Sequence, residues 1–171
     1  MASDWALQHL YHTIVNVKDI NDSIAFYEMM GFKVISDRRD AVWPKGSAIS
    51  FGIDDPARGR AALMVLKDDP DGPMMDLIEW VEPKADFPEP GPRRVPRVIA
   101  FRTRNVRQMH KELKAKGVKF TTEEPTSIPQ AGIVACACAY DPNGHILEMI
   151  ELEPGLRHSR IRETFTPSDK L

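Results

Sequence analysis

The chain has 171 residues, 42% of them hydrophobic and 28% charged, with a formal net charge of −2 at pH 7. That is enough for a domain with its own core, and the near-neutral balance excludes the basic footprint of a nucleic-acid binder. No run approaches the roughly 20 apolar residues of a membrane span, and Met1-Ala2-Ser3-Asp4-Trp5 lacks the basic start and apolar run of a signal peptide, so a cytoplasmic location is expected.

The first element is a strand within Leu10–Val17, rich in β-branched residues. Asp19 is placed to cap a helix over Ile20–Met30, in which Ile20, Ile24 and Tyr27 recur at helical spacing and Gly31 supplies the stop. Strands follow at Phe32–Ile35, Ser47–Phe51, Ala61–Leu66 and Asp76–Val81. Pro83, Pro88, Pro90, Pro92 and Pro96 then interrupt the pattern, as a proline-stiffened linker would. Beyond it a strand over Val98–Thr103, a helix over Val106–Lys116 and a stop at Gly117 restart the series, with Val118–Phe120 leading out.

The restart is a repeat. Gly31 follows His12 by 19 residues, and Gly117 follows Val98 by the same 19. Asp69-Pro70-Asp71-Gly72 and Asp141-Pro142-Asn143-Gly144 each set a turn before a closing strand, and each closing strand is soon followed by Glu-Pro. The fold class expected is therefore α+β: two tandem βαβββ modules, residues 1–82 and 97–153, joined by a linker at 83–96 and followed by a tail at 154–171. An open sheet with one helix buries only the face beneath that helix, so the second copy is expected to complete the core around a central cup.

Strand parity then sorts the polar residues. His12, Ile14 and Asn16 share one face, while Thr13, Val15 and Val17 suit the helix side. Glu148 groups with Ile146 and Ile150, and His145 with Leu147 and Met149. A carboxylate in an apolar strand is costly unless paired, hydrogen-bonded or bound to a cation. Glu79 and Glu148, at matching places in the two closing strands, suggest one shared cation site. Cys136 and Cys138, one residue apart on an apparent strand, point to one face and read first as buried reduced thiols, with metal or redox work as the alternative. Arg102 lies four residues after Val98, as Asn16 does after His12, so the two are register mates; a guanidinium there suits an anionic ligand, or equally a surface ion pair. Trp43, Phe51 and Trp80 are candidates for an aromatic wall, or plain core.

Ser23-Ile24-Ala25-Phe26-Tyr27 followed by Gly31-Phe32, together with the segment Asp141–Glu151, resembles the vicinal oxygen chelate superfamily, which includes glyoxalase I, bleomycin-resistance proteins and extradiol dioxygenases. The resemblance spans His12 to Glu153 and implies metal ligands on the first and last strand of each module, which fall here on His12, Glu79, Val98 and Glu148. Valine at 98 departs from the histidine often seen there. His12, Glu79 and Glu148 remain as a set suited to Fe, Mn, Zn or Ni, with open positions for water and substrate.

The resemblance implies a metal-dependent enzyme acting on a small oxygen-bearing organic molecule, a lyase or isomerase before an oxygenase. Glu148 or Glu79 would serve as base, and Arg102, Asn16 and Trp80 would contact substrate. The alternative is a metal-free binding or resistance protein in which His12 and the glutamates form an internal network. Other ligands considered are His110, His145 and the basic tail around Arg157, His158, Arg160 and Arg162. A purely structural or interaction module gives the inward carboxylates no purpose. The resemblance also implies a homodimer; for the tail, a cover for the cup, a clasp for a second subunit and a frayed end are open readings of equal standing.

Overall fold

In the computed structural model, the described residues are 10–41, 58–82, 84 and 97–156. The strand expected at Ser47–Phe51, the aromatic candidates Trp43 and Phe51, nearly all of the linker and the basic tail lie outside them. The chain divides into two compact units, Met1–Pro88 and Glu89–Leu171, a boundary that falls inside the span expected to be linker.

In the first unit, β1 (His12–Asn16) leads into α1 (Ile20–Met29), followed by β2 (Phe32–Arg38), β3 (Arg58–Leu66) and β4 (Met74–Glu82). The sheet order is β1-β4-β3-β2, with β1 parallel to β4 and the other neighbours antiparallel. Asp19 caps α1 as expected, its Oδ1 accepting from the backbone of Asn21 at 2.8 Å and Asp22 at 3.0 Å. Ile20, Ser23, Ile24 and Tyr27 form the buried stripe of α1. It covers the sheet face that carries Val15, Met75 and Leu77, all at or below 3% exposure; each such side chain contributes about 1.5–3 kcal/mol by leaving water. Gly31 has φ +99°, a conformation that a side chain would strain, and it turns the chain from α1 into β2.

The second unit repeats the plan. β5 (Val98–Arg102), α2 (Val106–Ala115), β6 (Thr126–Ile128), β7 (Ile133–Tyr140) and β8 (Ile146–Leu152) form a sheet of order β5-β8-β7-β6, with β5 parallel to β8. Val106, His110 and Leu113 are the buried stripe of α2, and Gly117 (φ +87°) ends it as Gly31 ends α1. The two-module α+β architecture read from the repeat is the one observed.

One strand differs. Val118–Phe120 makes isolated backbone contacts with β7, including Tyr140 N–H to Lys119 O at 2.9 Å and a bridge between Phe120 and Ala139. The edge strand forms later, at Thr126–Ile128, and a single 3-10 turn over Pro129–Ala131 brings the chain round to β7. Three residues after a helix stop are too few for a full antiparallel ladder, so the pairing is completed downstream.

Candidate functional site

Pairing in the first sheet places His12 opposite Met74, Ile14 opposite Asp76 and Asn16 opposite Ile78. Paired residues share a face, so His12, Asn16, Asp76 and Trp80 all project from the side away from α1. Trp80 Nε1 donates to Asn16 Oδ1 at 2.9 Å, which ties two of the expected substrate contacts to each other. His12 stacks at a tilt on Tyr11, with ring centroids 5.1 Å apart, and its Nδ1 is buried with no hydrogen-bond partner among the described residues. Asp76, on the same face and 9% exposed, receives Arg38 Nη2 on Oδ1 at 2.9 Å.

Glu79 does not share that face. It lies one residue out of phase with Asp76 and Trp80, and its Oε2 accepts the backbone N–H of Ile20 at 3.0 Å. The carboxylate thus sits at the N-terminus of α1, where an otherwise unmet donor and the helix dipole both favour negative charge. This corrects the pairing of Glu79 with His12: they occupy opposite faces of one sheet. The carboxylate that accompanies His12 is Asp76.

The second unit explains the misassignment. Val98 stands opposite Ile146, Ala100 opposite Glu148 and Arg102 opposite Ile150. Glu148 is therefore the counterpart of Asp76. The counterpart of Glu79 is Glu151, whose Oε2 accepts the N–H of Val106 at the start of α2, again at 3.0 Å. The sequence held a signal for this. Asp76 and Glu148 each follow a turn glycine, Gly72 or Gly144, by four residues; Glu79 and Glu151 each follow it by seven.

Glu148 projects from the face away from α2 together with Cys138, its β7 partner, and Cys136. Cys136 Sγ lies 3.6 Å from Glu148 Oε1. Among the described residues, Cys136, Cys138 and Glu148 are the group of three metal-type donors whose ligand atoms all lie within 4.8 Å of one another. Both thiols are free and half-buried. Burial, then the neighbouring Cys138 and Glu148, pushes the Cys136 thiol up to about 12; burial and Glu148 also raise Cys138. Neither is a thiolate nucleophile at neutral pH. Val98, half-exposed at 47%, brings no donor to this face. Arg102 matches Asn16 in register, and its Nη2 donates to the Leu156 carbonyl at 2.6 Å.

The other two candidate histidines have structural surroundings. His145 lies in the turn before β8, its N–H donating to Asp141 Oδ1 at 2.7 Å and its Nδ1 3.2 Å from Oδ2. His110, in the buried stripe of α2, packs on Phe120 with ring centroids 4.2 Å apart, and its Nε2 too is buried with no hydrogen-bond partner among the described residues.

Comparison with known proteins follows the same architecture. Residues 9–149 match the family model for the Glyoxalase/Bleomycin resistance protein/Dioxygenase superfamily. A glyoxalase family protein from Bacillus cereus superposes with a TM-score of 0.71 at 16% identity, covering 90% of this chain and 99% of that one. A variant of the fosfomycin resistance protein FosX from Listeria monocytogenes, complexed with Mn(II) and 1S,2S-dihydroxypropylphosphonic acid, gives 0.59 at 18% identity, covering 87% and 95%. The antibiotic binding protein TnmS3 from Streptomyces sp. CB03234 gives 0.59 at 21% identity, covering 87% and 99%. At such identities the likeness is one of fold. No curated protein sequence matches the chain.

Proposed function

The chain belongs to the Glyoxalase/Bleomycin resistance protein/Dioxygenase superfamily, and on that premise we propose that it is a metal-dependent enzyme acting on a small oxygen-bearing organic molecule, of lyase or isomerase rather than oxygenase type. The observation that carries this reading is His12 Nδ1, a buried ring nitrogen with no partner among the described residues, on the sheet face from which Asp76 also projects. Leaving such an atom unsatisfied costs about 1–3 kcal/mol, and a cation is a partner that would recover it. In this reading His12 and Glu148 are protein ligands of a divalent ion, one of Fe, Mn, Zn or Ni. Asp76 takes the place first given to Glu79, whose carboxylate is committed to α1.

A divalent ion held by these residues would polarise a substrate oxygen and ease loss of a neighbouring proton. The chain's own groups do the rest. Glu148 has one oxygen near a weak thiol donor and is the carboxylate proposed to accept the proton. Arg102 orients an anionic group of the substrate, with one arm of its fork fixed by the Leu156 carbonyl. Asn16 and Trp80, already bonded to each other, present a preformed polar and aromatic contact surface. Glu79 is withdrawn as catalytic base.

The second reading, a metal-free binding or resistance protein, is favoured by Val98 at the place where β5 would supply the counterpart of His12, and by the commitment of Asp76 to Arg38. Elemental analysis of untagged protein, before and after dialysis against chelator, separates the two. Near-stoichiometric metal that His12→Ala abolishes, with the fold intact, upholds the enzyme. Protein that arrives free of metal and takes up none moves the assignment to ligand sequestration. Val98→His is expected to tighten metal binding by roughly tenfold or more, as an added imidazole ligand should. A homodimer in the cytoplasm belongs to the same proposal, to be checked by light scattering and cell fractionation.

A further inference from the structure

β7 alternates small apolar residues with sulfur. Ala135, Ala137 and Ala139 are buried at 0–2% exposure on the α2 side, while Cys136 and Cys138 project from the other face, beside Glu148. The reading of the previous section uses Glu148 and leaves both thiols without a task. A polar strand position filled twice by cysteine, next to a carboxylate, is an odd way to build core.

We infer that Cys136, Cys138 and Glu148 form a site for a thiophilic divalent cation, of the zinc or cadmium type, contained within the second unit. With metal–sulfur bonds near 2.3 Å and metal–oxygen bonds of about 2.0–2.2 Å, tetrahedral coordination sets sulfur and oxygen ligands roughly 3.6 Å apart. The Cys136 Sγ to Glu148 Oε1 separation is 3.6 Å, so that pair already stands at the ligating distance. Cys138 is the direct cross-strand partner of Glu148 and lies within the same 4.8 Å cluster. Ala100, opposite Glu148 on β5, adds only a methyl group to this face.

Cysteine ligates as the thiolate, so occupation of the site is coupled to loss of thiol protons. Each cysteine that ligates releases one proton to solvent, and the divalent ion then offsets two of the three negative charges carried by the two thiolates and Glu148. Affinity must therefore climb with pH. The site shares Glu148 with the catalytic reading but needs nothing from His12, so either can fail alone.

The test uses full-length protein, reduced and stripped with chelator, titrated with Cd2+ while ultraviolet thiolate-to-metal charge-transfer absorption and proton release are followed. Cys136 and Cys138 are the chain's only cysteines, so the band has one possible origin. The expected result is a band that saturates at about one ion per chain, with protons released in step. It should vanish in the C136S/C138S double variant, weaken in affinity by roughly tenfold or more in Glu148→Gln, and survive in His12→Ala. Circular dichroism confirms that each variant is folded. No band from folded wild-type protein overturns the inference, as does a band that the double variant keeps or that His12→Ala removes. Metal bound without a band and lost in His12→Ala would sink this site while upholding the catalytic one.

Discussion

Glu79 and Glu151 hold the first turns of α1 and α2 through hydrogen bonds of equal length, whereas the sheet faces turned away from those helices are furnished with different groups in the two units. In the first, His12, Asp76 and Arg38 are present. In the second, Val98, Glu148 and two thiols stand in comparable strands. The repeated features are those that backbone geometry demands: a carboxylate for the orphan N–H groups of a helix, a left-handed glycine after it, and an Asp-Pro-x-Gly turn ahead of the closing strand. The features that diverge bring chemistry. Scaffold and site can thus be told apart within one chain by asking what recurs.

The turns give the widest contrast between the units. Asp141 is buried and accepts from the backbone N–H groups of Asn143 and His145, at 2.8 and 2.7 Å, whereas Asp69 at the matching place is exposed. Asp141→Ala is expected to cost about 3 kcal/mol or more, since each lost bond to a charged acceptor is worth about 1.5–3, while Asp69→Ala should stay within about 0.5 kcal/mol. Equal losses in urea melts would break the contrast. The pH dependence sharpens it. Burial pushes the Asp141 carboxyl up, but the hydrogen bonds and charge of His145 and the Asn143 amide outweigh it, so the net shift is downward. Its stabilisation should be complete above the unfolded-chain carboxylate value of about 3.9 and lost as pH falls through the lower folded value. Acid titration of Asp141→Ala should lack that component.

Next in size are the helix ties. Glu79→Ala and Glu151→Ala should each cost about 1 kcal/mol, within the usual 0.5–2 range for a capping group, and Gln at either place should recover part of the loss. A large loss at one position and none at the other would show that the equivalence is geometric only. Smaller still is the chemical contrast: with its thiol raised to about 12, Cys136 should alkylate with iodoacetamide far more slowly at neutral pH than a free cysteine, accelerating as pH rises. A rate like that of an unhindered thiol would show the protonated state to be misjudged. Last comes Asp37, exposed and drawn down to about 2 by Arg39; Asp37→Ala should leave the melting temperature unchanged, because exposed ion pairs are screened.

Most of this architecture was legible in the residues. β-branched runs, the Ile20-Ile24-Tyr27 stripe, the Asp19 cap and the two glycine stops are local signals that local geometry obeys. The parity of His12, Asn16 and Glu148 was legible too, because strand alternation is rigid. Glu79 was misread because β8 carries two glutamates, and matching the apolar neighbours aligned it with Glu148 instead of Glu151. Register against β1 is fixed by long-range pairing, Met74 N–H to Tyr11 O at 3.0 Å, which no local pattern encodes. The late edge strand at Thr126–Ile128 escaped for a different reason: it is only three residues long and its sequence is ordinary, although its pairing with β7 is local. The thiol–carboxylate cluster needed the β7–β8 register before its members met.

The parallel ladder between β1 and β4 also has a consequence for how the first unit comes into being. His12 pairs with Met74, so the earliest strand made waits for the latest before its edge is satisfied, and the Ile20 N–H at the start of α1 waits with it for Glu79. The same holds for Val98, Ile146 and Glu151 in the second unit. Each unit should therefore assemble late and all at once, with a slow, high-contact-order barrier. A nascent chain halted before β4 would leave β1 without its ladder partner and the Ile20 N–H without its carboxylate.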